Sequence, residues 1–126
     1  MNKGNNLAVG LYQYTGVEEI EVKEDNANYK TENGILYSKD GTTLWYVPVA
    51  KTGEIEIAEG VTTIKSGAFF CGKGGGQRNQ TITIPASVTE IDEQALVELQ
   101  YLGSSKVTFA EGSTYEFKAD GTVGKK

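Results

Sequence analysis

Two observations predict a mainly β chain built as a short solenoid of stacked repeats, with an inserted β-hairpin and capping ends. The first is a motif, Ile-x-Ile-x-x-x-Val-x-x-Ile-x-x-x-Ala-Phe/Leu, present as Ile55, Ile57, Val61, Ile64, Ala68 and Phe69 and again as Ile82, Ile84, Val88, Ile91, Ala95 and Leu96. Every member of the second copy lies 27 positions after its counterpart. A shortened copy starts at Val107, Phe109 and Ser113, shifted by 25 from Ile82, and Ile20 and Val22 read as the strand opening of an earlier one. Units of that length hold one or two short strands and a turn, so they bury an apolar face only by stacking on a neighbour. The second observation is composition. Sixteen glycines against two prolines, with abundant Val, Ile, Thr and Tyr, favour strands joined by tight turns and leave little room for helix.

The 126 residues have the length of one domain. Residues 1 to 16 match no other segment, but Leu7, Val9 and Leu11 alternate like a half-buried strand and are expected to cap the N-terminal edge. Residues 17 to 29 form a partial repeat. Residues 30 to 53 make an excursion in which two apolar stretches flank Asp40-Gly41, a dipeptide that suits a tight reversal, and Pro48 closes it because proline cannot donate to a ladder. Residues 54 to 80 and 81 to 105 are the two full repeats, the first ending in the polar, glycine-rich loop GKGGGQRNQ, which is expected to be mobile. Residues 106 to 126 begin a third repeat and then depart from it. Tyr115, Phe117, Asp120-Gly121 and Val123 read as a closing hairpin, the C-terminal cap.

Laid out in this way, the chain resembles the BspA-like class of bacterial leucine-rich repeats, whose units read roughly Leu-x-x-Ile-x-Ile-Pro-x-x-Val-x-x-Ile-x-x-x-Ala-Phe-x-x-Cys. Ile82, Ile84, Pro85, Val88, Ile91 and Ala95 match in order, as do Ile55, Ile57, Val61, Ile64, Ala68 and Phe69. The segment NANYKTENGILYSKDGTTLWYVP is similar to a hairpin block that recurs between repeats of that family, and the likeness spans residues 17 to about 112. The family's unit has about 23 residues, so the connecting loops here are longer. Asn79 stands where a leucine is expected, Cys71 falls one position early, Leu96 replaces Phe, and Val97 to Gly103 contains no cysteine. The resemblance implies a right-handed leucine-rich-repeat solenoid from a secreted or cell-surface bacterial protein, used in adhesion and protein binding.

Residues able to carry chemistry are few. The chain has no histidine, which removes the commonest general base and zinc ligand. The acids Glu18 with Glu19 and Asp92 with Glu93 are adjacent in sequence, and strand neighbours point to opposite faces. They do not make a converging glycosidase pair. The run CGKGGGQ lacks the Lys-Ser/Thr of a phosphate loop, since Gln77-Arg78 follow its last glycine. Cys71, the only cysteine, forms no internal disulfide and is expected to be buried. No catalytic residue, metal ligand or cofactor is therefore assigned.

The net charge of −5 argues against nucleic acid and anionic membrane as partners. No apolar run approaches the roughly 20 residues needed to span a bilayer. The opening MNKGNNLAVGLYQY lacks the apolar core and cleavage site of a signal peptide, which leaves open a cytoplasmic protein or a mature or excised fragment. The expected binding surface follows from register. If Ile55, Ile57, Ile82, Ile84, Val107 and Phe109 point inward, then Glu54, Glu56, Thr81, Thr83, Lys106 and Thr108 form an outward ladder. Trp45 and Tyr46, on opposite faces of the hairpin by alternation, offer a further ring for a sugar or a protein; the plainer expectation is that Tyr37 and Trp45 cover each other across the hairpin. The leading function is a non-enzymatic interaction or adhesion module for a protein or glycan, including one derived from a host. A spacer or stalk segment and, further off, a small glycan-acting enzyme are the alternatives. Oligomeric state is not legible.

Overall fold

A computed structural model describes residues 22–23, 25–48, 51–70 and 79–126. Within them the chain forms β1 (Tyr29–Glu32), β2 (Ile35–Ser38), β3 (Thr43–Tyr46), β4 (Gly53–Glu56), β5 (Thr63–Ile64), β6 (Gln80–Ile84), β7 (Glu90–Ile91), α1 (Glu93–Leu102), β8 (Val107–Phe109), β9 (Tyr115–Phe117) and β10 (Val123–Lys125). They assemble into three sheets: a mixed one in the order β1-β2-β3-β5-β7, a parallel one in the order β4-β6-β8, and the ribbon β9-β10.

This arrangement corrects the solenoid expectation. The protein is a small mixed β-sheet domain with one short helix among the described residues. The 27-residue shift survives as strand register, with Ile55 beside Ile82 and Ile64 beside Ile91, both parallel. These pairs, however, lie in two separate sheets rather than in one stack. The excursion expected as an inserted hairpin is instead part of the larger sheet. Its strands β1, β2 and β3 run antiparallel, and β3 then pairs in parallel with β5 through Thr43 with Thr63 and Leu44 with Ile64. β8 follows the pattern, pairing Val107 with Ile82 and Phe109 with Ile84, but the chain then turns back on itself as the antiparallel ribbon.

The two full copies also diverge in shape after their shared strands. Gly67 has φ +88°, a left-handed backbone that interrupts a helix, and residues 66–69 form a turn. Its counterpart 27 positions on is Gln94, inside α1. The sequence EQALVELQYL is rich in good helix formers, and Ala95, Leu99 and Leu102 recur at helical spacing on the buried face. The helix ends at Gly103, whose φ is +84° and whose N–H donates to the Leu99 carbonyl.

A β-bulge decides where the hairpin aromatics go. Leu36 opposes Tyr46 and Tyr37 opposes Leu44, so Trp45 is the extra residue on β3. Without it, Leu44 and Tyr46 would share a face. With it, Leu44 and Tyr37 enter the main core, while Leu36, Tyr46 and Tyr29 form a second cluster against which Val22, Trp45 and Phe70 pack. The main core draws Ile35, Ile64, Ile82, Leu99, Val107 and Val123 from all three sheets and the helix. The expected N-terminal cap, the strand residue Ile20, Cys71 and most of the glycine-rich loop lie outside the described residues. Val22 is in no strand.

Candidate functional site

The residues of the expected ladder lie mostly on one sheet. Alternation buries Ile55 on β4 and Ile82 and Ile84 on β6, and leaves Glu54, Glu56, Thr81, Thr83 and Thr108 exposed on the other face. Parallel pairing sets Glu54 beside Thr81, Glu56 beside Thr83, and Thr83 beside Thr108. Lys106 is half-buried and precedes β8; its carbonyl accepts the Ile82 N–H at 2.7 Å. Trp45 does not join them. It sits in the five-stranded sheet, half-buried, edge-on to Tyr29 with ring centroids 5.8 Å apart, and the Lys65 ammonium lies 5.7 Å from its ring centre. Its ring partner is thus Tyr29 instead of Tyr37, and the bulge puts Trp45 and Tyr46 in the same cluster rather than on opposite faces.

The ladder adjoins a groove that the sequence reading does not anticipate. Asn33 and Gly34 both have positive φ, +54° and +79°, the backbone of the tight turn that joins strands of right-handed twist. This turn stands beside β4. From the turn a depression of about 270 Å³ runs across the ends of β4, β6 and β8, with Glu32, Asn33, Tyr37, Glu56, Thr83, Pro85 and Ala110 on its walls. A second, of about 470 Å³, is lined by Asn33, Ile35, Lys51, Glu54, Ile55 and Glu56. Asn33 and Glu56 belong to both, so the two adjoin along the strand. The charged groups on these walls are Glu32, Glu54, Glu56 and Glu59 with Lys51, and Glu32 is ion-paired to Lys30 at 3.1 Å. The Asn33-Gly34 dipeptide is the sequence signal for this wall, as strong a hairpin marker as the Asp40-Gly41 pair.

Tyr37 is the buried polar group of the groove. Its hydroxyl oxygen accepts the Ala58 N–H at 3.1 Å. Burial pushes its pKa up, the Ala58 bond opposes this, and the nearby Glu32 charge adds to the rise, so the phenol stays protonated and remains a donor. At the other end, Gln80 ties the start of β6 to the Pro48 and Lys51 carbonyls at 2.9 and 2.7 Å. Among the described residues no group of three or more Cys, Asp or Glu is placed to hold a metal ion, and no helix is long and apolar enough to cross a membrane. Of the acids weighed as a catalytic pair, Asp92 accepts the Ser66 N–H at 3.1 Å and Glu93 is exposed in the first turn of α1. Glu18 and Glu19 lie outside the described residues.

No protein-family model matches the chain, and comparison with curated proteins yields no match. Among solved structures the chain is similar to a leucine-rich repeat protein from Eubacterium ventriosum, at 27% identity and a TM-score of 0.49, over 79% of this chain and 32% of that one. The likeness is distant. This chain spans about a third of that protein's length, and no residue role is carried across from it.

Proposed function

We propose that this is a non-enzymatic interaction domain of a bacterial cell-surface or secreted protein, binding a protein or glycan, including a host-derived one, through the outer face of β4-β6-β8. The observation that carries the reading is the exposed ladder of Glu54, Glu56, Thr81, Thr83 and Thr108, a polar sheet face with no described element packed on it. Broad, regular faces of this kind present many hydrogen-bonding groups to a partner. The surface or secreted setting rests on the sequence resemblance to BspA-like repeats.

The test is capture. The whole chain, immobilised, is screened against host surface proteins and a glycan array, and the best ligand is measured against a variant carrying Thr81→Arg and Thr108→Arg. Neither side chain is in the core, so the melting temperature should stay nearly constant, while capture should be lost to bulk and charge on the face. Retained capture would move the site off this face. No capture of any ligand would favour a spacer segment.

A further inference from the structure

We propose that Asn33 is a self-modification site, at which the Gly34 backbone nitrogen converts the side-chain amide through a cyclic imide to isoaspartate and aspartate, adding a carboxylate to the depression beside Glu56. Asn33-Gly34 is the only Asn-Gly dipeptide of the chain. Glycine has no side chain to hinder approach to its nitrogen. The two residues form the turn beyond the last pair of the β1-β2 ladder, Glu32 with Ile35. Both have positive φ, +54° and +79°, and Asn33 is the one residue other than glycine with that backbone among the described residues. Asn33 is exposed. Among the described residues neither its side chain nor the Gly34 N–H makes a hydrogen bond, so electrophile and nucleophile are both unheld.

Tertiary structure separates this turn from others that could close the same ring. Gly41 and Gly121 follow Asp40 and Asp120, but they donate their N–H groups to the Ser38 and Lys118 carbonyls, each at 2.9 Å. The two carboxylates are themselves held by Thr42 and Thr122. Asn26 Oδ1 accepts the Asn28 and Tyr29 N–H groups at 2.8 and 2.9 Å, and the second bond also occupies the nitrogen that would attack Asn28. The reaction at Asn33 needs only water. The Gly34 nitrogen gives its proton to solvent and bonds to Asn33 Cγ, the bond from Cγ to Nδ2 breaks, and ammonia leaves with a proton. Water then opens the ring. Attack at Cγ restores the main chain and leaves aspartate; attack at the backbone carbonyl carbon reroutes the main chain through Cβ and Cγ and leaves isoaspartate. One water enters, one ammonia departs, and nothing is oxidised or reduced. Either product puts a carboxylate on a wall that Asn33 shares with Glu32, Glu54 and Glu56. Isoaspartate also lengthens the main chain of a two-residue turn, whose length sets the register of Glu32 against Ile35.

No ligand enters this chemistry, so it stands apart from the outer-face reading. The whole chain is incubated in warm, mildly alkaline native buffer made with heavy-oxygen water, and in the same buffer with urea. Peptide mass mapping and labelling by an isoaspartyl methyltransferase then locate the products. In native buffer Asn33 should convert first, with the amide-to-acid mass shift and one solvent oxygen gained, while Asn26, Asn28, Asp40 and Asp120 stay unconverted at that time. Asn33→Gln should abolish the shift, because the longer side chain does not close the five-membered ring. The separated isoaspartyl form should have a lower urea midpoint than the Asn33→Asp variant, since aspartate is tolerated in the left-handed turn and isoaspartate lengthens it. Conversion in urea but not in native buffer would show that the folded turn shields Asn33 and would overturn the proposal. So would conversion at Asn33 no faster than at Asn26, or an isoaspartyl form as stable as Asn33→Asp.

Discussion

Asp40 and Asp120 show one device used twice. Asp40 Oδ1 accepts from the Ser38 hydroxyl at 2.7 Å, the Thr42 hydroxyl at 2.8 Å and the Thr42 N–H at 3.1 Å; Asp120 Oδ1 accepts from the Thr122 hydroxyl and N–H at 2.7 and 3.0 Å. These bonds favour the charged form and hold both carboxyls below their ordinary value of 3.8, through Ser38 and then Thr42 for Asp40 and through Thr122 for Asp120. A lowered folded-state pKa stabilises above the unfolded value and loses its effect as pH falls through the folded one. Replacing both by Asn should thus lower the urea midpoint at pH 7, and the gap to the parent should close as pH falls below about 4. A gap that widens on acidification would reverse the assignment. Buried Ile84 contrasts with its exposed neighbour Thr83: Ile84→Ala should cost about 2–5 kcal/mol as a cavity, and Thr83→Ala under about 1 kcal/mol. Equal denaturant midpoints for the two variants would mean that the faces of β6 are reversed.

At the level of elements, a single pair of residues separates the fates of two similar segments. Gly67 adopts φ +88° where the second copy has Gln94 in the first turns of α1. Gln94→Gly should therefore destabilise by about 0.5–1 kcal/mol and reduce the helical signal in circular dichroism. An unchanged signal would show that burial of Ala95, Leu99 and Leu102 alone holds the helix. Its periodicity is present in the sequence, but Ala95 and Leu96 also satisfy the repeat motif, and the motif reading hides the helix. The bulge at Trp45 is hidden for a different reason. Strand alternation read along β3 is locally sound; the extra residue appears only when β2 is laid beside it.

For the whole molecule, the main core passes through every sheet, so the parts should not unfold separately. Tyr115 and Val123 of the ribbon are core members. The Tyr115 hydroxyl accepts the buried Ile91 N–H at 3.1 Å, and Gln100 Oε1 accepts the Val123 N–H at 2.9 Å. Removing residues 114–126 would open the core and orphan the Ile91 donor, and should abolish the cooperative urea transition of the parent chain. In the parent, the fluorescence of Trp45, the only tryptophan, and far-ultraviolet circular dichroism should report one shared midpoint. Separate midpoints would indicate that the second cluster around Tyr29, Leu36 and Tyr46 melts on its own.

Part of this architecture follows from local chemistry alone. Period-two alternation marks Ile55, Ile82, Ile84 and Val107 as inward, the 27-residue spacing sets the parallel register of two strand pairs, and the Asp-Gly dipeptides place two turns. Each of these depends on neighbours in the chain or on a direct repeat of it. Long-range pairing, by contrast, settles that the two registers belong to separate sheets, that β1-β2-β3 joins the larger sheet instead of standing off it, and that the Asn33-Gly34 turn forms a groove with β4. The physical reason is that sheet membership is settled by hydrogen-bond partners distant in sequence. A short motif specifies which face of a strand is apolar, but not which of several open strand edges that strand will meet.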